Sequence, residues 1–514
     1  MTTASVAVPS EPIRWGTPVA RGVLATTIVG SSMAMIDGTV VNVALPRIGA
    51  QFGASVAGLQ WIVDGYLLSL AALVLVAGVF GDRYGRRKVY LIGVGLFGVA
   101  SLLCGLAPNI TLLVIARILQ GVAGALVSPG ALAILQSTFV RDDRARAIGA
   151  WSGLGGVATA IGPLLGGALV QIWSWRLAFL INPPVAVLCI LLALRFVPES
   201  SDSEAIGKRP DLISSAMIAL GLAGITALLV EAPGEGITNP VVLGAGIVGV
   251  AGLTAFVLRQ RMSANPLVPA ALFANRTFTL ANVLTFAVYT ALGGVTTLMV
   301  LQLQVSLHYP PTLAGISSLP LTIIMLLLSA RSGKLASRIG PKLQLTIGPL
   351  LIAAGMLLLR DATPGASYLL GVLPGIAVFG FGLALVVAPV TATVLAAAPD
   401  HLAGAASGMN NAVARTGGLL AVAVLPAVTH LTGSAYASPA ALTSSWRMSL
   451  VICAALSVVG GALGLFIDNN TLKAPAPDAT QPPAPVDEAP HPGDCLHCGV
   501  EGPPTYIQPS RASS

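Results

Sequence analysis

Apolar residues run in long blocks along most of this chain, and each block ends in a short cluster of charged or turn-forming residues. The blocks lie near 22–45, 61–80, 89–107, 110–136, 148–170, 177–197 and 211–231, then near 240–258, 278–303, 312–331, 343–360, 366–390, 405–428 and 447–467. Roughly 20 mostly apolar residues, rising 1.5 Å each as a helix, cross a hydrocarbon core of about 30 Å. In lipid the backbone must satisfy its own hydrogen bonds, so blocks of this length predict helices. The pattern therefore predicts an all-α integral membrane protein with fourteen spans. No cleavable-leader pattern precedes the first block, which is expected to remain as a span.

Composition agrees with that reading. Asp, Glu, Lys and Arg make up 9% of the 514 residues and apolar residues 55%, against about a quarter charged in an ordinary soluble chain. A net charge of +7 raises the question of nucleic acid. The basic residues, however, stand in short clusters between apolar blocks and form no continuous basic face, so they report topology and no nucleic-acid partner is expected.

With a cytoplasmic N-terminus, alternation of spans gives one side Arg83, Arg86, Arg87 and Lys88, then Arg141, Arg144 and Arg146, then Lys208 and Arg209, then Arg259, Arg261 and Arg276, then Lys334, Arg338 and Lys342. The other side receives Arg47, Arg176, Arg360 and Arg447. Cytoplasmic loops carry the Lys and Arg excess, so both termini are expected in the cytoplasm and the protein in the cell membrane.

An internal repeat runs through the same positions. Gly78, Asp82, Arg83, Gly85 and Arg87 have counterparts at constant spacing in Gly333, Ser337, Arg338, Gly340 and Lys342. Parallel halves of this kind characterise one large transporter class. The expected organisation is an N-terminal segment at 1–20, six helices at 21–200, two inserted helices at 201–262, six more helices at 263–467, and a Pro-, Ala- and Asp-rich tail at 468–514 expected to be disordered. Cys104, Cys189 and Cys453 fall inside spans and make no secreted disulfide pattern. In the tail, Cys495, His497 and Cys498 resemble half a zinc site; zinc takes four ligands, so no metal site is expected.

Candidate chemistry comes from the few polar residues inside spans. Asp37 interrupts the first span, and burial disfavours a charged carboxylate, which suits a group that exchanges protons. Asn42 offers either a polar contact to a ligand or a helix-to-helix hydrogen bond. Asp64, near one end of the second span, is either a substrate contact or a solvated interfacial acid. Arg117 in the fourth span cannot shed its proton and needs a partner. The fifth span is dense in small residues, with Gly162, Pro163, Gly166 and Gly167 consecutive or nearly so, which permits close packing and bending. In GVFGDRYGRRK at 78–88, Gly78 can let helices approach closely and Asp82 can pair with basic groups at a helix end, with Arg83, Gly85 and Arg86 in the same candidate latch.

That loop resembles the signature between the second and third spans of the major facilitator superfamily. MIDGTVVNVALP at 35–46, LQWIVDGY at 59–66, ARILQGVAGAL at 116–126 and GLGGVATAIGPLLGGAL at 153–169 resemble, in the same order, signatures of its fourteen-helix drug:proton antiporter family. SWRLAFLINPP at 174–184, NPLVPAALFANRTF at 265–278 and GAASGMNNAVARTGG at 404–418 extend the match. The resemblance implies a major facilitator fold: two six-helix bundles plus two inserted transmembrane helices. It implies that Asp82 locks the halves together on the cytoplasmic side and that Arg117 takes part in proton transfer. The fifth-span Gly-Pro pattern then marks an exporter. Arg415 either lines the cavity or packs at a span end. Ser337 stands where an acid would complete a symmetric lock, so the second half departs from the pattern there.

No GxxxxGK[ST], HExxH or GxSxG pattern occurs, so an enzyme is not expected, no cofactor is expected, and transport energy is expected from an ion gradient. The resemblance implies proton-coupled efflux of small amphipathic or cationic drugs, with small-molecule substrate, protons and the lipid bilayer as partners. A dedicated exporter of an endogenous antibiotic, siderophore or lipid is the alternative; a nutrient symporter or a non-transporting receptor fits less well.

Overall fold

The computed structural model describes residues 12–201, 211–263, 266–399 and 402–472. Every long apolar block is helical. The crossing elements are α1 (Pro18–Phe52), α2 (Val56–Tyr84), α3 (Arg86–Leu106), α4 (Ile110–Thr138), α5 (Arg141–Ile172) and α6 (Leu177–Phe196). Two inserted helices follow, α7 (Leu212–Glu235) and α8 (Pro240–Met262). The second bundle comprises α9 (Arg276–Ser306), α10 (Pro311–Ile339), α11 (Lys342–Asp361), α12 (Tyr368–Ala396), α13 (Ala403–Val428) and α14 (Pro439–Gly464). Among the described residues thirteen helices are long and apolar enough to cross a membrane. α5 has the shorter apolar stretch Val157–Ile172 and makes the fourteenth element.

The helices outrun the apolar blocks that announce them. α2 continues to Tyr84 through Asp82 and Arg83, because polar residues at a span end can stay helical where they reach water. Thr17 caps α1 from outside the first block, its hydroxyl accepting from Ala20 N at 3.1 Å. Ahead of that cap, Ile13 pairs with the α4–α5 link, donating to Thr138 O at 2.8 Å and accepting from Val140 N at 3.2 Å. No periodicity in the sequence announces this contact.

α1 packs on α5, α2 on α4, and α3 on α4 and α6; in the second bundle α9 packs on α13 and α14, and α12 on α10 and α11. The inserted pair α7–α8 packs on itself and sets α7 against both α2 and α13. At the hairpin base Arg259 bonds Asp211 at 3.0 Å. Burial alone raises the Asp211 carboxyl, but hydrogen bonds from Ser214 and Arg259 outweigh it and hold the group below its ordinary value. On α8, Val241, Ile247 and Val250 are exposed, the surface lipid covers.

Alternation places the α2–α3, α4–α5 and α11-preceding turns, with most of the loop arginines, at one end, called here the basic end; the α1–α2 and α13–α14 turns lie at the sparse end. Hydrogen bonds joining the two bundles among the described residues cluster at the sparse end. Val56 N donates to Gly433 O (2.7 Å). Gln60 Nε2 donates to Val422 O (2.7 Å) and Ala423 O (3.2 Å). Gln304 Nε2 donates to Val43 O (3.0 Å), and Thr312 N to Gln171 Oε1 (3.2 Å). The sparse end is closed.

Candidate functional site

Asp37 and Arg117, read separately in the sequence, meet inside the first bundle. The two residues are 0% and 1% exposed. Arg117 NH1 lies 2.5 Å from Asp37 Oδ2. Gln120 Nε2 and Asn182 Nδ2 donate to the other carboxylate oxygen at 2.8 and 3.0 Å. Ser101 Oγ accepts from both amides. Arg117 also donates to Ile62 O of α2 (2.9 Å) and to Gln120 Oε1 (2.6 Å), and its guanidinium lies 4.3 Å from the Tyr66 ring centroid. One carboxylate thus ties α1 to α4 and α6, through their amides to α3, and through Arg117 to α2.

The sequence periodicity explains part of this. Gln120 is one turn beyond Arg117 on α4, so both project from one face. Gln120, Ser101, Asn182 and Tyr66 were not singled out from sequence; the available signal was polarity inside apolar blocks, strongest for Gln120 and for Asn182 just before Pro183. Asp37 faces its own bundle's interior, with no exposed surface to a shared cavity. If Asp37 takes a proton the ion pair is lost, yet Arg117 keeps two acceptors, so the change is one of helix tethering within the bundle.

The remaining polar candidates stand apart from this cluster. Asn42 is half-buried with Oδ1 lacking a hydrogen-bond partner among the described residues. Asp64, expected near an interface, is 0% exposed, and neither carboxylate oxygen has a partner among the described residues. It differs from a solvated acid because α2 is covered there by neighbouring helices. Arg415 is half-buried on α13, close enough to act electrostatically on Tyr66 and Tyr289.

The Gly-Pro stretch of α5 serves close approach. A Cβ on Gly162 would strike Thr39, and one on Gly166 would come 2.8 Å from Val40 Cγ1, both on α1. A Cβ on Gly167 would come 2.5 Å from Pro311 O of the second bundle. Pro163 sits inside the continuous α5. The same pattern therefore packs α5 on α1 and closes the sparse end.

At the basic end Asp82 pairs with Arg86 at 2.7 Å across Gly85, whose φ of 104° suits glycine. Arg83 stacks on Tyr84, and a Cβ on Gly78 would meet open space. Glu199, missed in the sequence reading, caps α3: its oxygens accept from Arg87 N (3.0 Å) and Lys88 N (3.1 Å). The repeat extends to this device. Asn469 accepts from Lys342 N at 3.2 Å beside Gly340, whose φ is 89°. Ser337 instead bonds Lys334 O of its own helix. Replacing Glu199 with Ala should cost about 1 kcal/mol, the usual worth of a helix cap, and slow turnover with ligand affinity unchanged. Thermal unfolding in detergent and ligand binding check both. Lys208, Arg209, Cys495, His497 and Cys498 lie outside the described residues.

Two pseudo-repeated helical bundles, buried charges and closure at one end define a multi-pass membrane protein of the two-bundle carrier class. The family model of the Major Facilitator Superfamily matches residues 27–422. The multidrug resistance protein Stp of Mycobacterium tuberculosis is 35% identical over 406 residues, 79% of this chain and 75% of the relative. The tetracenomycin C resistance and export protein of Streptomyces glaucescens is 35% identical over 407 residues, 78% of this chain and 74% of that one. A bacterial homologue of the human lysosomal transporter Spinster, solved inward-facing and occupied, shares the fold with a TM-score of 0.65 at 18% identity, covering 88% of this chain and 97% of that one. The chain belongs to the Major Facilitator Superfamily and is a transporter.

Proposed function

We propose that this transporter exports small amphipathic molecules, cationic drugs among them, across the cytoplasmic membrane in exchange for protons. Both termini and the basic end face the cytoplasm in this reading, and the structure is then the inward-facing state of an alternating-access cycle. The observation that carries it is the buried Asp37–Arg117 pair, 2.5 Å apart and joined to three other polar side chains and a backbone carbonyl. A proton arriving at Asp37 releases a charge interaction that tethers several helices at once. A protonated and an unprotonated bundle therefore favour different packings, which is the two-state element that coupling needs. Each proton moving inward contributes roughly 2.3 kcal/mol per 100 mV of membrane potential.

Names of the relatives support export of drugs and antibiotics. The Streptomyces glaucescens relative, a resistance and export protein for tetracenomycin C, favours a second reading: dedicated export of one compound. Purified protein in proteoliposomes under an imposed pH gradient tests the proposal. Substrate addition is expected to drive proton movement opposite to substrate; substrate movement unaffected by the gradient would overturn it. A compound panel separates broad from dedicated export.

A further inference from the structure

The inserted hairpin packs against α2, and one of its acids, Glu231 of α7, accepts a hydrogen bond from Trp61 Nε1 of α2 at 2.7 Å. Asp64 lies one turn further along α2. Residues three and four apart share a helix face, and the two residues that flank Asp64 in this way have fixed partners. Gln60 points to α13, where it bonds Val422 O and Ala423 O. Trp61 points to α7. Asp64 therefore lies on the strip of α2 between α13 and α7, and α7 itself packs on both other helices.

This strip is closed to water on both flanks in the present state, and Asp64 is 0% exposed with both oxygens unpartnered among the described residues. An ionised carboxylate without donors costs several kcal/mol in such a place, and taking a proton removes that cost. The charged groups on the packed elements are few. Arg117 of α4 reaches α2 through Ile62 O, on another face. Arg415 of α13 lies two turns toward the basic end from Val422 and acts on Tyr66 and Tyr289. Glu231 is the carboxylate that α7 brings to this strip, half-buried and one turn from the helix end at Glu235, hence between the sparse face and Asp64.

We propose that Glu231 collects protons at the sparse face and passes them to Asp64, so that the inserted hairpin forms the proton-entry path. The inference rests on the proton-coupled reading above. In the step the O–H bond of the Glu231 carboxyl breaks and one forms on the Asp64 carboxylate, leaving Glu231 charged and Asp64 neutral. Water admitted when α2 and α13 part at Gln60 carries the proton between them.

Glu231→Gln keeps an acceptor for Trp61 and removes the exchangeable proton, whereas Trp61→Phe keeps the acid and removes the bond. Substrate-driven proton flux in proteoliposomes is measured with internal pH fixed and external pH varied. Glu231→Gln should be about a hundredfold slower at alkaline external pH, the lower range for losing a positioned proton donor. It should converge with the unaltered protein in acid, where protons reach Asp64 unaided. Trp61→Phe should lose thermal stability yet retain the pH profile. A Glu231→Gln profile equal to that of the unaltered protein, or lowered equally at every pH, overturns the inference. If the unaltered protein moves no protons, it is the coupled reading that fails.

Discussion

Asp37→Asn is expected to reach the membrane and bind substrate while losing proton coupling, with substrate-driven flux down at least about a hundredfold, the usual scale for removing a proton-transfer group. The amide keeps the size of the carboxylate and can accept from Gln120 or Asn182. It cannot take up and release a proton. Arg117 retains Ile62 O and Gln120 Oε1 as acceptors and the Tyr66 ring as a neighbour, so the fold should survive. Asp37→Glu restores a carboxyl on a longer stem and should recover part of the flux; the fully packed surroundings set the limit. Proton flux in proteoliposomes at matched protein amounts decides the matter. Flux in the Asn variant equal to that of the unaltered protein would remove Asp37 from the coupling step and shift the role to Asp64.

Arg117→Met should be the most destabilising change in the first bundle. Removing one member of a buried ion pair strands the other, at a cost of about 3–5 kcal/mol. Here the stranded carboxylate keeps only the Gln120 and Asn182 amides. The double variant Asp37→Asn, Arg117→Met removes both charges and should recover most of the lost stability without recovering coupling. Thermal unfolding of the four proteins in detergent gives the interaction energy by double-mutant cycle. A single Arg117→Met variant as stable as the unaltered protein would mean that the pair contributes nothing to the bundle.

Both expectations depend on a contact that sequence could pose but not close. Arg117 needed a partner because a guanidinium inside a span cannot lose its charge, and Asp37 stood as an acid inside another span. Yet Asp37 and Arg117 come from different spans, and nothing in local periodicity states which helix faces which. Ser101, which completes the cluster, carries no signal of its own in a chain with many isolated polar residues, and Asn182 carries only its polarity before Pro183, which names no partner. Glu199 and Glu231 were overlooked for the same reason: each becomes meaningful only beside Arg87 and Lys88 in one case and Trp61 in the other.

The helical architecture was legible from sequence because lipid forces the backbone to satisfy itself within each segment, so length and polarity alone announce the long helices, thirteen of them among the described residues long and apolar enough to cross, and group the basic loops. The halves were legible through the repeated Gly85 and Gly340 turns, where a left-handed φ restricts the choice of residue. Tertiary structure alone decided where the buried charges went. Lipid does not dictate helix neighbours, and van der Waals fit between small residues does: Gly162 and Gly166 bring α5 onto α1, Gly167 brings it to the second bundle, and α7 settles between α2 and α13. That packing paired Asp37 with Arg117 and left Asp64 enclosed beneath the hairpin, because a side chain's partner is set by the helix it faces and not by its place in the chain.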